Sequence, residues 1–391
     1  MTEEIFRRDS YAFEFEAVVV SAEGEDIELD ITAFYPGGGG QVCDTGTIRG
    51  SAVTEVFYKG KRIIHKVPNN DIKAGERVWC SVDWDRRYDL MMGHTGEHLL
   101  FCSLRRQVPD LTITKIFIAP ESKYVVVDRD VSWEDIEKAL IFANNAIREN
   151  LPVTKSLMSR DDPDLENVRI KMERIPDDEE ISVVAIGDID LSACSGIHVM
   201  ETGELESIFV DRKVSVGKDG IAIHFKVGDQ AKDSAMALAG VCLRTIEVTG
   251  SKPEDLVRTV SNTKEELQIM RRSVSDHVKR LIDQSHPYII NGIEIHNGLF
   301  PQVDRTILTD AAEAFKNEGS VSILISVGST ASVIMSSGVD SIDCSEILTK
   351  VLKQLGGRGG GKKDFAQGGI SDPTLAENAL SMLIQEVVPQ L

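Results

Sequence analysis

Residues 1–85 alternate between apolar and polar positions, a pattern that is typical of β-strands. Segments such as FEFEAVVV, DIELDITAF, AVTEVFY, KRIIHKV and RVWCSVD alternate or are rich in β-branched residues, and turn residues separate them. No stretch of helical spacing with a useful length interrupts these segments. The pattern predicts a small β-barrel or sandwich, and the barrel is taken as the N-terminal domain.

The period of the pattern changes at Arg86. The segment RRYDLMMGHTGEHLLFCSL has apolar residues at helical spacing, and a second helix begins with a capping-box pattern at Ser132 and runs to about Asn150. A third helix is expected over residues 163–173. Strand-like segments between and after these helices are LTITKIFIA, KYVVVD, ISVVAI, ESIFVDRKV and IAIHFKV. The mixture predicts an α+β domain over residues 86–228.

Residues 229–284 are predicted to form a helical linker. From residue 256 onward, apolar residues keep a rough four-three spacing over about three heptads. These positions are Leu256, Val260, Thr263, Leu267, Met270, Val274 and Leu281. One long helix packed on its own domain and an intermolecular coiled coil both fit this spacing. A homodimer of the chain would form through the 256–281 helix or through the C-terminal domain.

Residues 285–391 alternate between strand and helix patterns and predict a separate α/β domain. Strands are expected in IINGIEIHNGLF, VSILISV and ASVIMSS, and helices over 309–317, over 344–355 and from about 373. The segment GGRGGGKKDFAQGG is expected to be a glycine-rich loop between the last two helices. The chain is therefore predicted to be α+β, with a small β-barrel, an α+β domain, a helical linker and a C-terminal α/β domain.

Composition places the chain among ordinary globular proteins. A length of 391 residues is enough for about two to four domains with real cores. The hydrophobic and charged shares, 42% and 27%, are typical of soluble proteins. No apolar run reaches about 18 residues, and the polar N-terminus is not a signal peptide. Six cysteines without paired spacing indicate a reducing compartment, so a cytoplasmic protein without a membrane partner is expected.

The net charge of −20 argues mildly against a general nucleic-acid binder, because any RNA contact must then come from local basic clusters. One cluster lies near the N-terminus and comprises Lys59, Lys61, Arg62 and Lys66. The other, Arg358, Lys362 and Lys363, lies in the glycine-rich segment, where bare backbone and cations together favour contact with an RNA phosphate backbone. A flexible turn is the alternative for this segment, and a solvated face is the alternative for either cluster.

Two pairs of metal-binding residue types have a spacing of four. His94 and His98 fall in the first predicted helix, where residues four apart share a face, and Cys194 and His198 fall in a predicted loop. Together they offer the mixed nitrogen and sulfur ligands that zinc prefers. Four bound ligands would close the site, whereas three would leave a position for water or substrate.

Glu97 lies between the two histidines, so that the segment also matches the H-x-x-E-H pattern of some metalloproteases. A carboxylate beside the ligands could act as a general base, and a solvent-facing helix glutamate is the alternative. The protease interpretation leaves Cys194 and His198 unexplained.

The string Phe34-Tyr35-Pro36-Gly37-Gly38-Gly39-Gly40-Gln41 is also unusual. Consecutive glycines expose backbone N–H groups and permit close approach to a ligand, while a tight barrel turn is the alternative. No GK[ST] follows, so the string is not a Walker loop. Gln41 and Asp44 bring the first polar side chains to this segment.

Together, these strings resemble the editing half of alanyl-tRNA synthetase and its free-standing AlaX relatives. The segment from Phe34 to Gln41, with Asp44 and Gly46, is similar to the family's glycine-rich segment. The two pairs of histidine and cysteine residues resemble its two zinc motifs, and GGRGGGKKDFAQGG is similar to its C-terminal DHHA1 domain. All four occur in the family's order and cover nearly the whole chain, as in the long AlaX form.

The resemblance implies a zinc-dependent hydrolase that deacylates mischarged tRNA(Ala), chiefly Ser-tRNA(Ala) and also Gly-tRNA(Ala). Because the chain begins on the barrel, synthesis of Ala-tRNA is not expected. The residues that the resemblance assigns to Zn²⁺ are His94, His98, Cys194 and His198. The residues expected to act in catalysis are Glu97 and Gln41, those expected to bind substrate are Thr114, Gly38, Gly39 and Gly40, and those expected to bind tRNA are Arg358, Lys362 and Lys363.

The chain departs from the family pattern at Ile197, where the second zinc motif usually has a threonine. This departure supports one alternative, a catalytically inactive tRNA-binding protein. The metalloprotease is the other alternative. The family also places a polar residue that senses the serine hydroxyl on the strand after the zinc helix. Thr114 is the candidate for this role, and Thr112 lies on the same strand face.

Overall fold

The computed structural model describes residues 2–170, 180–284 and 287–391. It divides into two compact units, Met1–Thr245 and Ile246–Leu391. The architecture is mixed α and β, as the sequence predicts. Among the described residues, no helix is both long enough and apolar enough to cross a membrane.

The first unit begins with a barrel-like sheet. Its bounds are β1 (Glu3–Glu4), α1 (Ile5–Arg8), β2 (Glu14–Glu23), β3 (Asp26–Leu29), β4 (Ile31–Thr32), β5 (Gly46–Ile48), β6 (Ser51–Val53), β7 (Glu55–Lys59), β8 (Arg62–Lys66) and β9 (Arg77–Val82). Seven strands pair in the order β6-β5-β9-β2-β3-β8-β7, and β1 pairs with β4. The alternation seen in the sequence matches the burial along β2. Phe15, Ala17 and Val19 of this strand point inward, and its glutamates point outward. The predicted β structure of this region is confirmed.

A buried histidine makes the stability of the barrel depend on pH. His65 is fully buried in β8, where its Nε2 lies 2.8 Å from Thr32 Oγ1 and its Nδ1 lies 3.1 Å from the Ile27 carbonyl oxygen. Burial lowers the pKa of His65 to about 4. Between about pH 6.5 and 4 the unfolded chain therefore binds a proton that the folded barrel does not, so stability is lost as the pH falls.

We expect the free energy of unfolding of the first unit to fall by roughly 2 kcal/mol between pH 7 and pH 5 from His65 alone. Urea unfolding followed by tryptophan fluorescence measures this unit, because Trp79, Trp84 and Trp133 all belong to it. The variant His65→Gln cannot titrate and should lose that share of the pH dependence. Equal pH dependence in the two proteins would contradict the assignment.

The rest of the first unit combines three helices with two sheets. The bounds are α2 (Trp84–Gln107), β10 (Ile113–Ala119), β11 (Ser122–Val127), α3 (Trp133–Glu149), β12 (Val153–Met158), β13 (Ile181–Ile186), β14 (Asp190–Ala193), β15 (Ile208–Ser215), β16 (Ile221–Val227) and α4 (Gly228–Thr249). One antiparallel sheet has the order β10-β11-β16-β15, and a smaller one has the order β12-β13-β14. The largest hydrophobic core includes residues from Phe6 of α1 to Val227 of β16, and a small separate cluster comprises Val168, Ile181 and Val183. The helix α2 packs inside the largest core against α3 and the four-stranded sheet.

Local signals in this region were partly right. The Ser132 hydroxyl accepts a hydrogen bond from the Asp135 N–H, and α3 ends at the left-handed residue Asn150, as predicted. The helix expected over 163–173 is wrong in its described part, which is a short 3-10 turn over Pro163–Asn167. Residues 171–173 of that prediction lie outside the described residues. The strand β12 was not predicted, because most of its side chains are exposed and its apolar signal is weak.

The second unit contains a six-stranded sheet with helices. Its bounds are α5 (Leu256–Gln284), β17 (Tyr288–Ile290), β18 (Ile293–Pro301), α6 (Arg305–Asn317), β19 (Val321–Val327), β20 (Ala331–Ser337), α7 (Cys344–Gln354), β21 (Arg358–Gly361), β22 (Phe365–Ile370) and α8 (Ala376–Val387). The strand order is β17-β18-β19-β20-β22-β21, and the β18–β19 pair is parallel. The predicted helical region over 229–284 is two helices, α4 and α5. A left-handed Gly250 and a turn at Pro253–Asp255 separate them.

The prediction of a glycine-rich loop between the last two helices is wrong, because this segment forms the hairpin β21–β22 at the edge of the sheet. Its glycines serve packing instead of flexibility. A Cβ at Gly359 would lie 2.9 Å from Leu352 Cδ1, and a Cβ at Gly368 would lie 2.3 Å from the same atom. Only glycine therefore lets the hairpin lie this close to α7.

Candidate metal centre

Four side chains from two distant segments converge in the first unit. The helix α2 presents His94 and His98, and the loop after β14 presents Cys194 and His198. One ligand atom from each residue lies within 4.8 Å of all the others. Cys194 Sγ lies 3.5 Å from His94 Nε2 and 3.4 Å from His198 Nε2.

These separations fit a tetrahedral zinc ion. With Zn–N distances of about 2.0–2.1 Å and a Zn–S distance of about 2.3 Å, nitrogen and sulfur ligands of one tetrahedron lie about 3.5 Å apart. The donor set of three imidazoles and one thiol is also the one that zinc prefers. The residues therefore fit the metal that the sequence predicts.

Each histidine is oriented by a hydrogen bond at its other ring nitrogen. The Nδ1 atom of His94 lies 2.7 Å from Gln41 Oε1, and that of His98 lies 3.1 Å from Asp190 Oδ2. The Nδ1 atom of His198 lies 3.1 Å from Thr95 Oγ1. Gln41 Oε1 and the Asp190 carboxylate accept from Nδ1 of His94 and His98 and leave Nε2 as the metal ligand, as is usual for metal-binding histidines. The Thr95 hydroxyl orients His198 and can either donate or accept.

The electrostatics of the group favour ligand forms at two positions. Burial raises the pKa of the Cys194 thiol, but His94 and His198 outweigh it and hold this pKa well below its usual range. The thiolate is the form of cysteine that binds metals. Burial lowers the pKa of His198 to about 3, so its imidazole is neutral. At His98 burial also lowers the pKa, but Asp190 and the Cys194 sulfur raise it to about 10. Metal binding must therefore displace a proton from His98.

Glycines allow the surrounding backbone to approach the histidines. A Cβ at Gly196 would lie 2.2 Å from His94 Cε1, so the loop that carries Cys194 requires glycine there. From Gly37 to Gly40, four consecutive residues have positive φ angles of 82°, 139°, 61° and 91°. This glycine loop then pairs through Gln41 with Ile118 of β10. The backbone of the glycine loop thus comes close to neighbouring segments, and the loop also forms a turn of the barrel.

A buried ion pair ties the glycine loop to α2. The Arg87 side chain is fully buried and donates from Nε to both carboxylate oxygens of Asp44 at 3.1 Å. Asp44 also accepts from the Tyr35 backbone N–H at 2.6 Å, and Arg87 donates to the Ser10 carbonyl at 2.8 Å. The glycine loop is therefore fixed relative to the helix that carries two of the four ligands.

A cleft of about 910 Å³ opens on the four-residue group. Its lining includes His94, Glu97, His98 and Cys194 together with Gly39, Gly40, Thr112 and Thr114. Gly38 and Gln41 are not part of the lining, and Gln41 lies behind His94. The Thr114 hydroxyl is 3.2 Å from the Val126 carbonyl and 3.1 Å from that of Asp219, either of which accepts its proton.

Glu97 is not the solvent-facing helix residue that one alternative expected. Its side chain is fully buried, and neither carboxylate oxygen has a hydrogen-bond partner among the described residues. Glu97 Oε2 lies 3.8 Å from His98 Nε2. A buried carboxylate without a hydrogen bond is costly to fold, and Glu97 is therefore a candidate for chemistry at this group.

The three predicted tRNA-binding cations lie in the second unit. Arg358 begins β21, and Lys362 and Lys363 form the exposed turn of the hairpin. In the other basic cluster, Arg62 pairs with Glu28 and Lys66 pairs with Asp26. Its cations are thus partly neutralised, which leaves the hairpin as the stronger candidate.

Three family models match the chain. They are tRNA synthetases class II (A) over residues 6–86, the second additional domain of threonyl and alanyl tRNA synthetases over 181–219, and the DHHA1 domain over 288–388. The alanyl-tRNA editing protein AlaX-L of Pyrococcus horikoshii is 28% identical over 391 residues, which cover 94% of this chain and 94% of that protein. These matches extend the resemblance to alanyl-tRNA synthetases and their editing relatives over nearly the whole chain. The resemblance drawn from the sequence motifs is confirmed.

Full alanine–tRNA ligases are similar to this chain over part of their length. The ligase of Methanoregula boonei is 28% identical over 97% of this chain and 42% of the ligase. That of Pyrococcus abyssi is 30% identical over 98% of this chain and 43% of the ligase. The chain thus spans about two-fifths of the length of these ligases.

The sequence analysis missed the residues that support this family's metal motifs here. Asp190 and Thr95 each orient one histidine, and Arg87 holds the glycine loop through Asp44. Thr95 lies inside the first motif, where its neighbours could have drawn attention to it. Asp190 lies in a short strand with no local signal, and only its distance from His98 identifies it.

Proposed function

We propose that the protein hydrolyses the ester bond of mischarged tRNA(Ala), namely Ser-tRNA(Ala) and Gly-tRNA(Ala), at the four-residue group with zinc as its metal. One observation carries the proposal: the four donor atoms converge, and three of their residues, His94, His98 and Cys194, line a cleft whose lining also includes Glu97, a buried carboxylate without a hydrogen-bond partner among the described residues. The similarity to an alanyl-tRNA editing protein over nearly the whole chain supports the choice of substrate.

The ligands in this proposal are Nε2 of His94, His98 and His198 and Sγ of Cys194. With all four bound the site is closed, so the Lewis acidity that zinc supplies to an ester carbonyl or a water molecule requires that one ligand be released or a fifth position be gained. The chain's own residues orient the three imidazoles through Gln41, Thr95 and Asp190, and the two acceptor-only partners, Gln41 Oε1 and Asp190, also fix the tautomer of His94 and His98. Gln41 therefore acts by positioning His94, which refines the catalytic role that the sequence assigned to it.

Glu97 is the proposed general base, since it lines the cleft and has no hydrogen-bond partner among the described residues. It would take the proton of the attacking water. Gly39 and Gly40 form part of the cleft wall, where their bare backbone would admit the esterified ribose. Gly38 supports this wall, because its carbonyl accepts the Tyr35 hydroxyl at 3.0 Å.

The two alternatives have weaker support. A protease of the H-x-x-E-H type has no use for Cys194, whose sulfur lies within 3.5 Å of two imidazoles. The inactive tRNA-binding protein was suggested by Ile197, but this side chain is buried in the core and leaves the four donor atoms together.

Purified protein incubated with Ser-tRNA(Ala), Gly-tRNA(Ala), Ala-tRNA(Ala) and an unfolded protein separates these functions. We expect release of serine and glycine, little release of alanine and no proteolysis. A chelator should stop the release, and added zinc should restore it. Binding of tRNA without hydrolysis would support the inactive protein instead.

The exposed hairpin turn is proposed to bind tRNA phosphates. Replacing Arg358, Lys362 and Lys363 by glutamine should weaken tRNA binding and reduce the slope of log affinity against log salt by roughly 0.7–0.9 per lost phosphate contact. Turnover at saturating tRNA should not change. A matched control replaces three exposed cations of α5, Lys264, Arg271 and Arg272. If both triple variants keep the wild-type slope, the hairpin cations do not contact tRNA.

Serine selection is proposed to involve Thr114. Its proton is used by a backbone carbonyl, but its oxygen can still accept the seryl O–H in the cleft. Thr114→Val should lower hydrolysis of Ser-tRNA severalfold and leave Gly-tRNA nearly unchanged, because one neutral hydrogen bond contributes about 0.5–1.5 kcal/mol. Relative kcat/KM values for the two substrates measure this. An equal loss for both would assign Thr114 to folding, and no loss would make Thr112 the next residue to test.

The homodimer through α5 also stays a proposal. Val260, Leu267, Met270, Val274 and Leu281 keep the predicted spacing and are all exposed on this helix. Sedimentation of the wild-type chain and of a Leu267→Glu variant tests the idea.

A further inference from the structure

One side chain from each strand of the four-stranded sheet forms a line on its outer face. The strand register sets Phe117 opposite Tyr124, Tyr124 opposite His224, and His224 opposite Arg212. Because side chains alternate across a strand, the neighbours of these residues point the other way into the core. Phe117, Tyr124, His224 and Arg212 are called the aromatic row below.

The planar groups of the aromatic row lie against one another. The rings of Phe117 and Tyr124 are stacked, with centroids 5.2 Å apart and planes inclined by 25°. Tyr124 and His224 follow at 4.9 Å and 43°, and Arg212 Nη2 lies 3.5 Å from His224 Nδ1. The three rings are half-buried and Arg212 is exposed, whereas Val125, Ile223 and Phe225 on the other face are fully buried. The row is thus not part of the core.

Cations flank the row although the chain as a whole is acidic. Lys115 lies two residues before Phe117 and is exposed, and Lys226 lies two residues after His224 on the same face. Burial and Arg212 lower the pKa of His224, with Lys226 adding to this and Asp211 opposing it. The imidazole is therefore neutral near pH 7, which suits stacking. Stacked rings with flanking cations are the features of surfaces that bind single-stranded nucleic acids.

The row begins at the wall of the metal cleft. β10 is the edge strand of the sheet, and Thr114, Lys115 and Ile116 on this strand line the cleft. On its other side, β10 meets the glycine loop through the bridge between Gln41 and Ile118. A chain that left the cleft past Lys115 would therefore reach Phe117 directly.

We propose that the aromatic row binds the single-stranded 3′ end of tRNA, with its unpaired bases stacked against the row and its phosphates held by Lys115, Arg212 and Lys226. This rests on the proposed function, which places the esterified 3′ end in the cleft. Base stacking on side chains tolerates any sequence and requires unpaired bases, so the row selects the open end of the molecule and not its duplex.

Binding of a fluorescein-labelled tetranucleotide, ACCA, measured by anisotropy tests the row without any hydrolysis. Phe117→Leu and Tyr124→Leu should each weaken binding by about fivefold or more, the effect of losing one stacked base. Tyr288→Leu, an exposed tyrosine on β17, is the matched control and should bind like wild type. With Ser-tRNA(Ala), the two row variants should raise KM and keep kcat, because stacking is equal in the ground and transition states.

If loss of an aromatic ring lowers the melting temperature, a second variant tests the same surface. This variant replaces two exposed cations, Lys115→Gln with Arg212→Gln. Its salt slope for the tetranucleotide should fall by about 0.7 for each lost phosphate contact. Wild-type affinity in both aromatic variants, or equal affinity of the wild-type protein for the tetranucleotide and a short RNA duplex, would overturn the proposal. Hydrolysis by wild type with unchanged KM in the row variants would also overturn it and leave the proposed function standing. Absence of hydrolysis by the wild-type protein would instead contradict the proposed function. Binding of the tetranucleotide would still test whether the aromatic row binds single-stranded RNA.

Discussion

Replacing His98 and Cys194 together by alanine should reduce bound zinc from about one ion per chain to nearly none and abolish release of serine from Ser-tRNA(Ala). The reason is geometric, since the two residues come from the two different segments that form the group and one zinc needs about four such ligands. Metal content by mass spectrometry and hydrolysis on the same sample measure both effects.

Cys242→Ala is the control for this experiment, because Cys242 is an exposed cysteine on α4, outside the group. It should keep both metal and activity. Full zinc occupancy in the double variant would show that the metal binds elsewhere. Loss of zinc with activity retained would mean that hydrolysis does not depend on the metal.

Removing Asp44 should destabilise the first unit by about 3–5 kcal/mol, because the Arg87 guanidinium would stay buried without its partner. The Asp44→Ala variant would also lose the bond from the Tyr35 N–H that closes the glycine loop. Urea unfolding followed by tryptophan fluorescence reports this unit. We expect weaker zinc binding as well, since Gln41 at the end of the same loop orients His94.

A double-mutant cycle isolates the ion pair. Asp44→Ala with Arg87→Met removes both charges and should recover part of the stability that Asp44→Ala loses. Additive losses would show that the two side chains act independently. A loss of less than about 1 kcal/mol in Asp44→Ala would place the pair among weakly coupled surface charges and not in the core.

Local patterns determined much of this protein. Alternation over residues 1–85 predicted the barrel strands, and the pattern after Ser132 predicted the start of α3. The four-residue spacing of His94 and His98 places both on one helix face, and that of Cys194 and His198 is short enough for one loop. These properties depend on neighbours along the chain, so the sequence contains them. The resemblance to the alanyl-tRNA editing relatives followed from these motifs, and so did the prediction of a metal-binding group.

Only the tertiary structure decided what lies against what. It brought Cys194 to 3.5 Å from His94, although 100 residues separate them, and it supplied Asp190 as the partner of His98. It buried Glu97, which a helix pattern alone leaves open to solvent. It paired the expected glycine loop as the hairpin β21–β22, where a Cβ at Gly368 would lie 2.6 Å from the Arg358 carbonyl oxygen. The line from Phe117 to Arg212 likewise exists only through strand register. Contacts between distant segments are set by packing and pairing, which local residue patterns do not specify.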